Sequence, residues 1–590
     1  MTRFIWLFIV ILISYGNAQS ADSIPDGIEG FIAKAKEAIE KENYEYAVGI
    51  LNAGKARYPQ AAEPAILLGD LYSDKKLYNL ALKEYQEADR RLPGDDEILH
   101  RIATAYGRLN EEDKAVDYLE KVLSLEPDNP EIITDLGWMY FKTHRLAEGE
   151  KLLLGSIDKY GNNRSFAMTL GTIYSGMYEY RKAKESYLFS IQDALKNNGQ
   201  YFASVAYYNL SLLEHGFYRF NSALDYTNRS LEMSERAPGH ISKGELYQSR
   251  MDFKQAHDEY QRALALDTTP LAKLNLADLY RKFGLFKNAY AYVDDVIKST
   301  DLSWMYYFGT DIERHSMDLY RILADLYEGM AHEERLIPKI GLLHEIKSFF
   351  LIAQYSIMEW YYRQKQRANA IRTGKKYFEE GNLLDAYWSF YKGNEGYPEI
   401  ALKYLIKARE IEVSVAPGAL PSYIQEEGKI KKNIALLQES ISKFQPEWEK
   451  EGIAESLRLL IPLLNRKNHT EARRMAVNRL YSINPGALLQ SGFGLPILLV
   501  SDLKVSRPGF FRKITSLLRK SGFEVGFSDG PGFTYQMSIT CGEGNTIVYL
   551  LKDRRNMKAI YNESLTLPAF TGKNLVKLVQ DIVDNTYRIR

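Results

Sequence analysis

One spacing governs the first three hundred residues of this chain. Small residues stand at Ala47, Ala81, Ala115, Gly149 and Ala183, each 34 positions after the last. Twelve positions upstream of each stands a second small residue: Ala35, Gly69, Ala103, Gly137 and Gly171. Three residues beyond those come Tyr72, Tyr106, Tyr140 and Tyr174, with Ala38 in the first unit. Bulky residues follow the second marker at Leu51, Tyr85, Leu119, Leu153 and Tyr187, and Pro59, Pro93 and Pro127 end the first three units. A period of this length reads as one helix–turn–helix unit. Small residues let two helices approach, bulky ones fill the gap to the next hairpin, and proline cannot continue the second helix. Each hairpin leaves a face bare until a neighbour covers it, so the units stabilise one another by stacking.

These residues resemble the tetratricopeptide repeat family, whose pattern puts small residues at positions 8 and 20 and an aromatic at 11. Five units keep that register. Three looser ones centre on Ser211 and Ala223, on Gly244, Tyr247, Ala256 and Tyr260, and on Ala277, Tyr280 and Ala289. The step from Gly171 to Ser211 is 40, which places a longer helix or loop near Asn197-Asn198-Gly199. The resemblance implies a mainly α fold, a tetratricopeptide-repeat α-solenoid of about eight units over 28–299.

From 300 to 485 the pattern predicts degenerate helical repeats. Ala324 and Tyr327 look like a first-helix pair, and Gly374, Tyr377, Ala386 and Phe390 restore the spacing before Pro398. The uncharged run Phe349–Met358 is too short to span a bilayer and predicts a buried long helix. Pro417-Gly418-Ala419 marks a break, Ile424 to Phe444 recur at helical spacing, and a last hairpin runs from Ala454 to about Tyr481. Residues 486–590 read as a small α/β domain. Strands are expected at Leu495–Val500, Phe523–Phe527, Tyr535–Thr540, Ile547–Leu551 and Ala559–Leu567, with helices at Phe510–Lys520 and Leu575–Tyr587 and an antiparallel meander. The order of elements is similar to small α/β domains of bacterial envelope proteins, such as the N-terminal domain of the TolB family.

Residues 1–20 read as a signal peptide. Arg3 precedes the uncharged run Phe4–Ser14, and Gly16-Asn17-Ala18 or Ser20 offers a cleavage site. A membrane span needs roughly 20 apolar residues, so export to the periplasm, or secretion, is expected, with no integral span in the mature chain. The lone cysteine, Cys541, excludes an intramolecular disulfide framework, a cysteine zinc site and a lipid anchor after the signal. Lys plus Arg and Asp plus Glu are both 76, so the basic excess of a nucleic-acid binder is missing.

No catalytic constellation emerges. The nine histidines are dispersed without an HExxH pair, and the last, His469, precedes the α/β domain, so nothing there would activate Cys541. Ser73-Asp74-Lys75-Lys76 matches SxxK without companion motifs, and Ser528–Gly532 lacks the ending of a phosphate loop. No catalytic residue, cofactor or metal is expected. In the resembling family, positions 2, 5, 9, 12 and 13 of the first helices face a concave groove. That resemblance puts Arg108, Trp138, Phe141, Lys142, Met168 and Tyr208 in a partner-binding groove, as an aromatic strip edged by cations. The carboxylate clamp of chaperone-binding members is absent, since Ile66, Asp70, His100 and Thr104 hold its positions. The chain therefore reads as a non-enzymatic periplasmic scaffold or adaptor for a protein or peptide. The alternatives are a regulator of cell-wall synthesis and an enzyme with its site in 486–590.

Overall fold

The computed structural model describes residues 27–582 except 110, 268–269, 299–311, 337–341, 467–468, 486, 489–495, 502–509, 522, 527–534, 542–545, 554–558, 567–573, 576 and 580. The expected signal peptide, the Ser528–Gly532 loop, the turn at 542–545 and most of the turn after Asp553 lie outside the described residues. The chain divides into two compact units, one up to Asn197 and one from Asn198 onward.

The first unit holds five hairpins. They are Ile28–Glu40 with Tyr44–Arg57, Glu63–Asp74 with Tyr78–Arg91, Asp96–Arg108 with Glu112–Leu125, Pro130–Lys142 with Leu146–Tyr160, and Arg164–Gly176 with Tyr180–Lys196. The side chains of Asp95, Asn129 and Asn163 cap the third to fifth first helices by accepting backbone N–H bonds. In four of the five hairpins the described turn repeats as faithfully as the sequence. Glu42, Lys76, His144 and Tyr178 are left-handed, at φ between 55° and 60°. The next N–H then reaches back to a carbonyl five residues earlier, as in Asn43 to Ala38 (2.8 Å) and Leu77 to Tyr72 (2.8 Å). This closure satisfies a carbonyl that the helix end would leave bare.

The small residue at position 8 and the bulky residue sixteen positions later form a size-matched pair. A Cβ added at Gly69 would lie 2.4 Å from the Tyr85 ring, at Gly171 2.8 Å from Tyr187, and at Gly244 2.4 Å from Tyr260. Where position 8 is alanine, as at Ala35, Ala103 and Ala277, the partner is Leu51, Leu119 or Val293, all buried. In the sixth unit the pair becomes polar: Ser211 and Thr227 hydroxyls lie 2.5 Å apart. Gly137 departs from the rule with Leu153, and Thr169 of the next repeat lies 3.1 Å from where its Cβ would be.

The second unit opens with three more hairpins: Gln200–Gly216 with Phe220–Met233, Ala237–Ser249 with Phe253–Leu266, and Pro270–Lys282 with Phe286–Lys298. The longer unit expected near Asn197 arises from two 17-residue helices, Tyr180–Lys196 and Gln200–Gly216. A long hairpin follows, Ile312–Leu336 with Leu342–Glu379, then Leu383–Gly393 and Pro398–Val415. Here Gly374 again faces a ring, with Phe390 2.7 Å from the added Cβ, and Gly381 takes the left-handed turn position at φ 78°. The run Phe349–Met358 does lie in a long helix, but the expectation that it is buried needs correction. Its inner side packs Tyr355 and Met358 into the core, while Phe349 and Phe350 are 68% and 66% exposed. The helix carries apolar residues on both sides, and its neighbour Ile312–Leu336 covers one.

The remaining helices are Leu420–Lys431, Ile434–Lys443, Lys450–Arg466 and Thr470–Ile483, of which Lys450–Arg466 packs on Ala237–Ser249, the first helix of repeat seven. Trp448 stacks on Phe220 (5.8 Å between ring centroids), and Gln445 Nε2 donates to the Tyr218 carbonyl (3.2 Å). Asn484 Nδ2 donates to the Lys282 carbonyl, and Lys282 pairs with Glu451 (2.7 Å). A buried ion network ties the same region to the long hairpin: Asp278 with Arg281 (2.7 Å) and Lys282 (2.7 Å), and Asp325 with Arg281 (3.2 Å) and Arg363 (2.8 Å). Burial pushes the Asp278 carboxyl up, but Arg281, Lys282 and Arg321 outweigh it and hold it well below the usual carboxylate range.

The chain closes in a mixed five-stranded sheet, ordered β2-β1-β3-β4-β5. The strands are β1 Pro496–Ser501, β2 Glu524–Gly526, β3 Tyr535–Cys541, β4 Thr546–Asp553 and β5 Ala559–Thr566. The expected meander is β3-β4-β5. The sheet adds β1, parallel to both β2 and β3; the helix Phe510–Lys520 supplies the crossover that a parallel pair requires. Alternate residues Tyr535, Met537, Ile539 and Ile547, Tyr549, Leu551 are buried, in one cluster with Ile514, Leu518 and Leu578. Tyr481 packs on Tyr535 at 5.0 Å, and Glu524 accepts from Arg473 and Arg474, so the sheet sits on the helix Thr470–Ile483.

Replacing Gly69 with alanine is expected to destabilise the first unit by about 1–3 kcal/mol, because the Tyr85 ring has no room to move. In a Tyr85→Leu background the same change should be neutral or favourable, since alanine is roughly 1 kcal/mol better than glycine in a helix. Urea-unfolding midpoints of the four proteins check this. Equal costs in both backgrounds would show that the ring contact is not the cause.

Candidate partner-binding face

The first helices of the first unit carry a polar ladder from repeat to repeat. Tyr85 Oη donates to Asp70 (2.8 Å), which accepts from Arg101 Nε (2.9 Å), and Arg101 also pairs with Glu97 (2.8 Å). One repeat further, His100 Nε2 lies 2.9 Å from Asp135 Oδ2. The Asp135 hydrogen bond raises the His100 pKa above its ordinary value, against an opposing effect of burial. A polar cleft of about 440 Å³ opens beside it, between Glu131, Thr134 and Asp135 of the fourth repeat and Asn163, Arg164 and Asp193 of the fifth.

The aromatic residues occupy the other end of these helices. Trp138 is 36% exposed, with its ring 5.3 Å from Phe141 at a tilt of 32°. Phe141 is half-buried because it packs between hairpins: a Cβ on Gly176 would lie 3.1 Å from its ring. Arg108 is exposed and Met168 half-buried. Lys142, expected as an edging cation, is turned toward the preceding repeat and pairs with Glu112 at 3.5 Å. Tyr208 belongs to the second unit, where it is half-buried; burial, with Glu245 beside it, raises its hydroxyl pKa. Of the six residues, then, Trp138 and Phe141 are in ring contact, and Lys142 is committed to an ion pair.

Among the described residues, His100, Glu131 and Asp135 are the group whose ligand atoms come within 4.8 Å of one another, as a metal site would need. The His100–Asp135 hydrogen bond already uses the ring nitrogen, and an ion pair between repeats accounts for the grouping. The 34-residue pattern puts His100 at a groove-facing position of the third repeat and does not single out Glu131 or Asp135. A signal was available: 131 and 135 lie about one period beyond 100, and residues one period apart become neighbours on adjacent first helices.

Among the described residues, no helix is long and apolar enough to cross a membrane. Residues 96–129 and 242–301 match models of the tetratricopeptide repeat. The chain is 22% identical over 366 residues to a TPR repeat-containing protein of Methanocaldococcus jannaschii, across 61% of this chain and 53% of that one. It therefore spans about half the length of this curated relative. Solved structures give partial likenesses. A tetratricopeptide repeat protein from Parabacteroides merdae matches at 16% identity and TM-score 0.38, over 42% of this chain and 98% of that one. YrrB, described as a TPR protein with an unusual peptide-binding site, matches at 15% and TM-score 0.25, over 31% and 92%.

The ladder makes a pH prediction. A histidine whose pKa rises on folding adds stability that is fully present below about pH 6.5 and is lost as pH rises through the folded value. Titrating the His100 ring by NMR should give a pKa above the ordinary value in the native chain, and Asp135→Asn should lower it. An unchanged pKa in the variant would remove Asp135 as the cause.

Proposed function

We propose that the chain is a non-enzymatic scaffold that holds a protein or peptide partner on the first-helix face of repeats three to five. The observation that carries this is Trp138, a large aromatic side chain left partly open beside Phe141 and the exposed Arg108. Tryptophan and arginine are the residues that most often anchor protein interfaces, because each buries much area and keeps a polar handle. In the second unit the first helix Ala237–Ser249 is packed by Lys450–Arg466 and Pro270–Lys282 by Ile312–Leu336. That leaves the first-unit face as the better candidate for a partner. Residues 1–20 support placing this scaffold in the periplasm, where it would serve an envelope assembly.

Trp138→Ala is the clean probe, since Phe141 also packs against Gly176 and its loss would disturb the hairpins. Loss of a central aromatic anchor typically costs 2 kcal/mol or more, so partner capture should fall at least roughly 30-fold. Undiminished capture by a variant of unchanged helicity would sink the reading. For the location, fractionation should recover the chain from the periplasm with a mature N-terminus at Gln19 or Ala21. A cytoplasmic chain retaining Met1 would refute export.

A further inference from the structure

The fold-back in the second unit encloses a cleft of about 510 Å³ that the scaffold reading does not use. Its first wall is the C-terminal end of the helix Gln200–Gly216 with the turn after it, and its second is made by helices between Pro398 and Arg466. The walls are fastened closely. A Cβ on Gly418 would lie 2.5 Å from the Tyr218 Cβ, and Trp448 stacks behind Phe220. Tyr218 and the buried Phe220 and Phe444 are among the residues that line the space, with four carboxylates: Glu412, Glu449, Glu451 and Glu455.

Charge accounting separates these four. Glu451 pairs with Lys282 (2.7 Å), and Glu455 with Arg458 (2.6 Å). The other two have only neutral donors. Glu412 accepts from Trp388 Nε1 (3.1 Å) and Tyr423 Oη (2.7 Å), and Glu449 accepts from the Gln445 N–H (2.9 Å). Among the described residues neither has a lysine, arginine or histidine in ion-pair range, and Glu449 is only 8% exposed. His215, which also lines the cleft, does not supply the charge: burial lowers its pKa and favours the neutral ring. Burial likewise raises the Glu449 pKa, the expected response of a carboxyl held from water without a counter-charge.

We propose that this cleft binds an organic cation, with an ammonium or guanidinium group seated between Glu412 and Glu449 and its alkyl stem against Tyr218, Phe220 and Phe444. Aromatic faces and carboxylates together are the surroundings that such groups favour, through cation–π attraction and charge-assisted hydrogen bonds. The volume is that of a small-molecule site, where a lysine or arginine side chain or a short diamine fits. The proposal is independent of the first-unit face. One chemistry has two sources here, a free polyamine or a basic residue of a peptide.

Calorimetric titration of the full mature chain at 150 mM salt tests it, using 1,4-diaminobutane, a blocked arginine tripeptide and the neutral 1,4-butanediol. At least one of the two cations should bind while the diol does not, and the tighter of the two assigns the source. Glu449→Gln and Glu412→Gln should each weaken binding at least tenfold. Glu447→Gln, at a surface carboxylate next to Trp448, should leave it unchanged. Glutamine keeps an acceptor for the Gln445 N–H, so the Glu449 variant should unfold at the same temperature as the native chain or higher. Three results would overturn the proposal: no binding of either cation, equal binding of the diol, or full affinity in folded Glu449→Gln and Glu412→Gln.

Discussion

The approach of a small first-helix residue to a larger side chain sixteen residues later is the contact on which the hairpins depend, and in four of them the small residue is a glycine under a ring. Gly69 against Tyr85, Gly171 against Tyr187, Gly244 against Tyr260 and Gly374 against Phe390 are four instances of one contact. Helix separation must stay nearly constant for repeats to stack, so the two volumes vary in opposition. Alanine meets leucine or valine, and serine meets threonine through a hydroxyl pair. Interiors are packed at crystal-like density, which leaves no slack for both members to grow or shrink together. A left-handed turn residue then recurs between the two helices, at Glu42, Lys76, His144, Tyr178, Tyr218 and Met251.

Stacked hairpins of this kind expose a first-helix face, and each unit treats its own differently. In the first unit the face carries a polar ladder, Asp70 to Arg101 and His100 to Asp135, and ends in the Trp138–Phe141 pair. In the second unit its helix Ala237–Ser249 is packed by Lys450–Arg466, from much later in the chain. The buried ions around Asp278 and Asp325 belong to that arrangement. Their burial is costly, and four basic residues, Arg281, Lys282, Arg321 and Arg363, are gathered from three helices to offset it. Glu412 and Glu449 lie at the edge of the same fold-back with no such compensation.

Much of the fold was legible because a helical repeat is a local object. The positions of Ala47, Ala81, Ala115, Gly149 and Ala183 suffice to predict five hairpins, and Gly374 with Phe390 extends the rule into the region where other markers fade. The strands of the closing domain were readable from alternation, while the parallel placement of β1 was not, since two parallel neighbours leave no mark in either strand. The candidate face was legible in part. Spacing selects which residues stand on the first helices, yet it does not tell a cation that reaches outward from one, like Lys142, that reaches back to Glu112.

Periodicity and residue size thus settled the elements, their pairing and the close contact inside each hairpin, because all of these act within one repeat, between residues no more than about one period apart. Which face stays open was decided in three dimensions. Phe220 and Trp448 are 228 positions apart, and Asn484 and Lys282 are 202 apart. A contact between segments so distant has no period to betray it; it exists only once both partners are folded and one apolar or charged surface finds the other.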